Sequence, residues 1–238
     1  MAKRTDSETL SKHIRDALRS DILGGRWSPG EKLQLTALSE HYQTSSTVIR
    51  EALTRLVGDR LVQLKPNRGF FVPPISLAEL EDITQLRCVN EEFGITLAIE
   101  RGDLNWESEL IAVHHTLERT PRRRAEDPDQ HTQEWNAAHQ AFHAKLMEAC
   151  GVPVLIDLTS TLSDIVQLYG RWAGMATRDA QRDIEQEHRE ILAAVLKRDA
   201  PAAAKLLRQH YETTMEAVRN AGEVGLEKAL GGKVPAQA

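Results

Sequence analysis

Residues 34–57, QLTALSEHYQTSSTVIREALTRLV, decide the fold of the N-terminal part of this chain. Leu35, Leu38 and Tyr42 are spaced at i, i+3 and i+7, so they share one face of a helix. The segment Gln43–Ser45 interrupts that period with side chains that favour turns and caps. The stretch therefore predicts two short helices joined by a tight polar turn. The second helix has its own apolar stripe, made by Val48 or Ile49 and then by Ala52, Leu53, Leu56 and Val57.

The second helix of this pair also carries a polar face, formed by Ser46, Thr47, Arg50, Glu51 and Thr54. In a helix-turn-helix, the first helix braces the second, and the second presents such a face to the major groove of DNA. Two packed amphipathic helices without any DNA partner would give the same pattern. The residues that follow therefore have to distinguish a DNA-binding pair from an ordinary one.

A predicted β-hairpin follows the helix pair. Leu61–Leu64 and Phe70–Val72 are short strand candidates, and Pro66–Gly69 between them has strong turn chemistry. A further amphipathic helix, Glu8–Leu23, precedes the pair. This order of elements predicts a winged helix with Arg68 at the hairpin tip. Arg68 alone would be read as surface charge, but beside a recognition helix we expect it to contact DNA near the minor groove.

Charge is divided unevenly along the 238 residues, whose formal net charge is −5. Residues 1–72 contain twelve Lys and Arg against eight Asp and Glu, whereas residues 73–238 contain eighteen against twenty-seven. A basic module, suited to phosphates, is thus joined to an acidic one with another role. There is no membrane-spanning apolar run and no signal-peptide core. Cys88 and Cys150 form neither a disulfide framework nor a C-x-x-C motif, so we expect reduced thiols in a cytoplasmic protein.

The second module is predicted to be all helical, which makes the fold mostly α: a winged helix-turn-helix at 1–72 and a bundle of six to seven helices at 77–220. Residues 73–76 form a stiff linker, since consecutive prolines favour extended chain. Ser76 and Glu79 form a capping box that starts the first helix. Residues 221–238 lack a sustained apolar face and are expected to be a frayed tail. Breaks at glycine and proline delimit the helices Leu77–Arg101, Trp106–Arg119, Asp129–Cys150, Val154–Trp172, Asp179–Lys197 and Pro201–Asn220.

Four histidines of this module can meet inside a helical bundle. His139 and His143 are four residues apart, so they project from one helix face about 6 Å apart along the axis. Two imidazoles at this spacing can bind one divalent ion. His188 and His210 lie on the last two predicted helices, and bundles build metal sites between such helices. The alternative is that these are ordinary surface or core histidines, because spacing alone does not bring His188 and His210 to the pair.

Two motifs in the N-terminal module are specific at their observed separation: the turn Pro29–Leu33, PGEKL, and the helix Val48–Leu56, VIREALTRL. With them, residues 10–72 resemble the winged-helix domain of the GntR regulators. The family commonly opens its recognition helix with SRTPVR, whereas Ser45–Arg50 reads SSTVIR here, so Ser46 replaces an arginine and a different operator is expected. The resemblance implies DNA contacts from the recognition helix and the wing, by Lys32, Ser45, Ser46, Thr47, Arg50, Asn67, Arg68 and Gly69.

Residues 77–220 look like the helical ligand-binding domain, called FCD, of the FadR-type GntR regulators. The resemblance implies a divalent metal, often zinc, held by three histidines and an Asp or Asn. His143, His188 and His210 match the three histidine positions. It runs through Leu86–Arg87 with Glu91, Phe142–His143 with Leu146, Glu187–Leu192, and Asp199 to His210.

The carboxylate position of that metal site is His139 in this chain. A fourth imidazole keeps a ligand but removes a negative charge, so the bound ion would carry more net positive charge. Imidazole also favours zinc, nickel or copper over oxygen-loving ions. We expect the metal to be zinc, with nickel as the second candidate. Alternatively, His139 does not bind the metal and forms a hydrogen bond with the effector.

The resemblance further implies a small organic acid as effector, with one carboxylate oxygen on the metal and an arginine at the other end. Arg87 matches a pocket arginine of the family, and Arg171 is a second candidate. A surface salt bridge is the alternative role for each, and Arg87 can also pair with Glu91 four residues later. We favour the pocket role for Arg87 and the salt bridge for Arg171.

These resemblances together imply a homodimeric, metabolite-responsive transcription regulator, a repressor that leaves a near-palindromic operator when the effector binds. Effector binding would tilt the helical domain, and Pro73–Pro74 would pass the shift to the DNA-binding domains. Two alternatives remain: a regulator that senses the metal itself, and a metal-dependent hydrolase in which the ion activates water. Against the hydrolase, no general base stands beside the histidines, since Glu187 points elsewhere than His188 on their helix.

Overall fold

The computed structural model describes residues 2–74, 76–126, 130–172 and 182–229, and within these the side chains of 10–171, 182–220. Its N-terminal domain contains the predicted winged helix. The recognition pair follows a long first helix, and a small sheet closes the domain. The elements are α1 (Ala2–Leu23), β1 (Lys32–Leu33), α2 (Leu35–His41), α3 (Ser46–Gly58), β2 (Gln63–Lys65) and β3 (Gly69–Phe71).

The turn between α2 and α3 follows from its residues. Gln43 adopts a positive φ of 51°, which reverses the chain after α2. Ser45 is the N-cap of α3, because its side chain accepts a hydrogen bond from the backbone N–H of Val48. Ile49, rather than Val48, begins the buried stripe of α3. The predicted helix-turn-helix is therefore confirmed.

The sheet has one strand that sequence patterning did not predict. β1 pairs with β3, which pairs with β2, all antiparallel. β1 has only two residues, too few to show an alternating pattern. The first hairpin strand also begins later than predicted, at Gln63. Leu61 and Val62 are instead buried in the domain core, where their N–H groups donate to the carbonyl of Leu56 at the end of α3.

The C-terminal domain is a helical bundle, as predicted. The last helix of this domain, Ala200–Ala229, packs most extensively against the domain's first helix, Leu77–Arg101. Both helices contribute small and aliphatic side chains to the core. None of the described helices is both long and apolar enough to cross a membrane. The described helices are α4 (Leu77–Arg101), α5 (Leu104–Arg119), α6 (Gln133–Glu148), α7 (Pro153–Trp172), α8 (Ile184–Leu196) and α9 (Ala200–Ala229).

Several helix ends differ from the sequence-based boundaries. The helix predicted from Asp129 begins at Gln133, after the N-cap Thr132, and Asp129 itself lies outside the described residues. The predicted start at Asp179 also lies outside them, and α8 begins after the N-cap Asp183. The expected tail was wrong for residues 221–229, because α9 continues to Ala229. Alanine, glutamate, leucine and lysine in this stretch favour helix and outweigh its two glycines.

Candidate metal centre and ligand cavity

Three helices of the bundle bring four histidines together. His139 and His143 come from α6, His188 from α8 and His210 from α9, and one ring nitrogen of each lies within 4.8 Å of the others. The Nε2 atoms of His139 and His143 are 3.1 Å apart. Four nitrogens at about 2.1 Å from a zinc ion would be roughly 3.4 Å from one another, so the cluster can hold such an ion after small side-chain adjustments.

The tautomer of His143 follows from the hydrogen bond that its Nδ1 forms on the side of the ring away from the other histidines. Its Nδ1 is 3.0 Å from the hydroxyl oxygen of Tyr211, and that hydroxyl donates to Glu91. Because burial raises the pKa of Tyr211 well above its ordinary value, the hydroxyl proton stays and is used on Glu91. The Tyr211 oxygen must therefore accept from His143 Nδ1–H. The lone pair of His143 Nε2 is then directed to the cluster, as a metal ligand requires.

His210 is oriented in the same way by Glu187. His210 Nδ1 is 2.7 Å from a Glu187 carboxylate oxygen, and Arg182 also donates to that carboxylate. Burial alone would raise the pKa of Glu187, but the hydrogen bonds from His210 and Arg182 lower it to about 2. Glu187 is therefore an anion at neutral pH. The expectation that it stands apart from the histidines was wrong, since it holds His210 from the outer side.

The remaining two rings also fit a metal site. His188 Nε2 is buried without a hydrogen-bond partner, an arrangement that a metal ion would satisfy. His139 stacks on Trp135 at 4.7 Å between ring centroids. Burial, followed by the charge of neighbouring histidines, lowers the pKa values of His139, His143 and His188 well below 6.5. At neutral pH these rings are neutral, which is the form that binds metals.

A cavity of about 110 Å³ opens beside the cluster, with His139 and His210 in its wall. Trp135, Leu80 and Met215 contribute apolar surface, and Asn136, Gln140 and Gln167 contribute amides. The described residues of the wall include two arginines and no carboxylate side chain. The cavity can therefore receive a small anion next to the histidines.

Arg87 lies in this wall and also forms the ion pair considered from the sequence. It is 5% exposed, and its Nε donates to Glu91 at 2.6 Å, so the predicted pair within α4 is confirmed. Its guanidinium also lies 3.9 Å from the centroid of the Tyr211 ring. Its Nη2, however, is buried with no hydrogen-bond partner. One donor group therefore remains for a ligand after the pair with Glu91 is made.

Arg171 also lines the cavity, at the point where the two domains meet. Its Nε lies so close to Gly25 that a methyl group there would be 2.3 Å away. Gly25 has a φ of +76°, so both its backbone and this close approach require glycine. The salt bridge favoured for Arg171 from the sequence stays a prediction, and the contact with Gly25 is an additional finding.

The N-terminal domain exposes most of the predicted DNA contacts. Ser46, Thr47 and Arg50 are exposed on α3, and Lys32, Asn67 and Arg68 are exposed in the sheet and wing. Gly69 has a φ of +97° and Asn67 one of 57°, which shape the wing tip. Ser45 is also exposed, and its hydroxyl oxygen accepts the capping hydrogen bond described above.

A basic cluster covers the wing and includes one residue that sequence reasoning missed. The ammonium of Lys65 lies 4.6 Å from the centroid of the Phe71 ring, and Lys32 and Arg68 lie 6.0 Å from it. Lys65 is the last residue of β2 and stands just before the turn at Pro66–Gly69. Its position beside the wing tip is the sequence feature from which it could have been included.

A winged helix joined to a helical domain that contains a cavity is the architecture of a DNA-binding transcription regulator. The chain belongs to the GntR family: residues 10–72 match the model for bacterial regulatory proteins of the gntR family, and residues 82–213 match the model for the FCD domain. Membership of this family identifies it as a non-enzymatic regulator, which removes the hydrolase alternative.

Known proteins of similar sequence are regulators. The chain is 33% identical over 205 residues to the uncharacterized HTH-type transcriptional regulator BphR of Paraburkholderia xenovorans, covering 86% of this chain and 83% of BphR. It is 32% identical over 207 residues to the HTH-type transcriptional repressor GlaR of Escherichia coli, covering 86% and 93%.

Solved structures share the fold. Escherichia coli McbR/YncC matches with a TM-score of 0.75 and 22% identity over 89% of this chain and 97% of that one. A GntR regulator from Rhodococcus sp. RHA1 matches with a TM-score of 0.70 and 23% identity over 89% and 98%. At these identities the likeness extends to the fold only.

Proposed function

We propose that this regulator is a repressor released from its operator by a small organic acid bound at a metal ion in the four-histidine cavity. One observation carries the proposal: His139 and His210 of the histidine cluster line a cavity that is also lined by Arg87, whose Nη2 is buried without a hydrogen-bond partner. A metal ion and a guanidinium side by side are the two groups that recognise a carboxylate.

The proposed metal is zinc, with nickel as the second candidate, held by His139, His143, His188 and His210. Four neutral imidazoles leave the full double positive charge of the ion uncompensated among its ligands. Such a site favours metals that prefer nitrogen over those that prefer oxygen. It also attracts an anion to any coordination position that faces the cavity.

The proposed effector carries at least one carboxylate, which would bind the ion and Arg87 Nη2 together. Arg171 stands elsewhere in the same wall and is a candidate for a second polar group of the ligand. The amide side chains of Asn136 and Gln140 can serve hydroxyl or carbonyl oxygens. If His139 does not bind the metal, its imidazole would donate to the effector instead.

The proposed DNA complex is a homodimer on a near-palindromic operator in the cytoplasm. Thr47 and Arg50 would face the major groove, and Arg68 the minor groove. A surface for dimerisation is available on α4, where Leu86, Val89 and Phe93 share one helix face and are 49%, 62% and 58% exposed. Repression is proposed because the relative GlaR is itself called a repressor.

An operator obtained by in vitro selection with zinc-loaded protein would test this function. A panel of organic acids is then screened by thermal shift, with and without zinc, since a ligand that binds only the folded protein raises its melting temperature. We expect at least one acid to stabilise the zinc-loaded protein but not the metal-free protein. An acid that stabilises both equally would contradict metal anchoring, and release of the operator by zinc alone would identify a metal sensor.

The matched variants are His143→Ala and His115→Ala. His143 belongs to the cluster, whereas His115 is an exposed histidine on α5. The first should abolish the zinc-dependent shift, and the second should preserve it.

A further inference from the structure

We propose that α7 couples the ligand cavity to the DNA-binding domain through a hydrogen-bonded chain from Gln140 to Asp164 to Arg19. Occupancy of the cavity would then decide how firmly that domain is held. This inference deepens the proposed function and rests on it for the identity of the ligand, while its structural basis is independent of the metal.

The two domains are joined by a bidentate ion pair. Arg19 of α1 donates through Nε to one oxygen of Asp164 at 2.6 Å, and through a terminal nitrogen to the other oxygen. Asp164 on α7 is 4% exposed. Two parallel hydrogen bonds restrict the relative orientation of the groups they join, which a single contact does not. The pair therefore fixes an angle between the domains.

One face of α7 contacts the DNA-binding domain. Asp164, Leu168 and Arg171 are spaced at i, i+4 and i+7, so they point to the same side of the helix. Leu168 is buried within the apolar core of the DNA-binding domain, and Arg171 lies against Gly25. The helical domain thus inserts a side chain into the core of its neighbour at the position of the ion pair.

The adjacent face of α7 forms the cavity wall, and the two faces share a hydrogen-bond network. Gln167 of α7 and Gln140 of α6 both line the cavity. Gln140 Nε2 donates to Asp164 Oδ1 at 3.2 Å and also to the side-chain oxygen of Gln167. An amide nitrogen has only two hydrogens, so both are used. A ligand oxygen that takes one of them must displace Asp164 or Gln167.

Loss of the Gln140 hydrogen bond would weaken the hold on Arg19. A buried carboxylate needs several donors, and removal of one leaves an oxygen less well satisfied. Leu23 of α1 also lines the cavity, so a ligand would touch the DNA-binding domain directly. Both effects favour an altered orientation of that domain when the cavity is filled.

The test is the distribution of distances between spin labels on Thr54→Cys in α3 and Glu100→Cys in α4, measured by electron spin resonance. Both positions are exposed, whereas the two native cysteines are buried and burial raises the pKa of Cys88 to about 11, so labels attach to the introduced thiols. An excess of unlabelled protein restricts labels to one chain of any dimer.

Arg19→Gln and Gln140→Leu should each widen the distribution about twofold, as expected when a docked domain samples several orientations. The double variant should be no wider than Arg19→Gln alone, because both changes act on one chain of contacts. Arg15→Gln is the matched control: Arg15 is also on α1, but it pairs with Asp59 inside the DNA-binding domain at 2.7 Å. It should leave the distribution narrow.

A narrow distribution in Gln140→Leu would overturn the proposal, whatever Arg19→Gln does. A second arm adds citrate, as a probe carboxylate, to zinc-loaded wild-type protein and follows its binding by calorimetry. Citrate that binds without widening the distribution would also overturn the coupling. If citrate and the other organic acids do not bind at all, the proposed function fails, while the variant distributions still decide the coupling.

Discussion

At the scale of single residues, hydrogen bonds to the Nδ1 atoms of His143 and His210 orient two rings of the cluster that could hold a metal ion. His143 donates to Tyr211, and His210 is held by Glu187. Each partner sets which ring nitrogen carries the proton and prevents the ring from rotating. A cluster of four unrestrained histidines would bind metal more weakly, because binding would have to order the rings first.

Removal of the Tyr211 hydroxyl is therefore expected to weaken zinc binding. Tyr211→Phe should lower the affinity about tenfold, the lower end of the effect of outer partners in metal sites. Competition with a chromophoric chelator measures it. Tyr42→Phe is the control, since Tyr42 donates to Asp21 in the DNA-binding domain. Equal zinc affinity in wild type and Tyr211→Phe would contradict the assigned tautomer of His143.

The stability of the metal-free protein should depend on pH through the same histidines. Burial holds the pKa of His188 in the folded state well below 6.5, so below pH 6.5 the unfolded chain binds the proton that the folded protein excludes. The free energy of unfolding should therefore fall as pH decreases below 6.5, by at most about 1.4 kcal/mol per pH unit for each such histidine.

Urea unfolding in a chelator between pH 7.5 and 5.5 measures this slope. His188→Leu should make the slope shallower, because it removes a group that takes up a proton only in the unfolded chain. His115→Leu, a change at an exposed histidine, should leave the slope as it is. A slope unchanged by His188→Leu would show that His188 does not contribute to the pH dependence.

Helical spacing was enough to pair His139 with His143, because two residues four apart lie on one face of their helix whatever the fold. His188 and His210 were joined to that pair by the family resemblance, not by spacing. The outer partners could not be predicted in that way. Glu187 points away from its neighbour His188 and reaches His210 on another helix, so its role depends on how α8 and α9 pack. The same holds for Tyr211, whose hydroxyl contacts residues of α4 and α6.

At the scale of elements, α3 differs from the usual recognition helix of its family at Ser46. Ser46 is exposed, and its only described side-chain contact is a hydrogen bond from Ser39 at 3.2 Å. Ser46→Arg is therefore expected to alter the selected operator sequence, since a bidentate arginine contact with guanine contributes about 1–3 kcal/mol of base discrimination.

In vitro selection and sequencing compare the preferences of the two proteins. Thr36→Arg on α2 is the matched control, because Thr36 is exposed on the bracing helix and the added charge is the same. It should strengthen binding to all sequences without changing the preference. An identical preference in Ser46→Arg and wild type would refute the role assigned to position 46.

The exposed face of α4 supplies the prediction for assembly. Phe93→Glu places a charge in the stripe that also contains Leu86 and Val89, and it should shift a dimer toward monomer in sedimentation velocity. Ile111→Glu alters an apolar side chain of α5 that is also exposed, 46%, and should leave the dimer intact. A dimer unaffected by Phe93→Glu would place the interface elsewhere.

Helices were easier to predict than strands in this chain. An apolar stripe over three turns, as in α7, is visible without tertiary information. The two residues of β1 become a strand only because Phe70 and Phe71 of β3 lie beside them. Helix ends differed where a capping residue, such as Thr132, competed with a continuing polar stretch.

At the scale of the whole molecule, the division of charge predicted two modules but not how they meet. The basic domain contributes Leu23 to the cavity of the acidic one, and α7 reaches back into the basic domain's core. The sequence-based mechanism assigned communication to Pro73–Pro74 alone. Contacts between residues more than a hundred positions apart, such as Arg19 and Asp164, carry no local pattern, so only the folded structure reveals them.

The central claim is that the four-histidine cavity is the sensing site, and operator affinity measures it most directly. Fluorescence anisotropy would follow the selected operator bound by zinc-loaded protein while a stabilising organic acid from the screen is added. We predict that the acid releases the operator from zinc-loaded wild type and from His115→Ala, but not from metal-free protein or His143→Ala. Equal release from His143→Ala would contradict the claim.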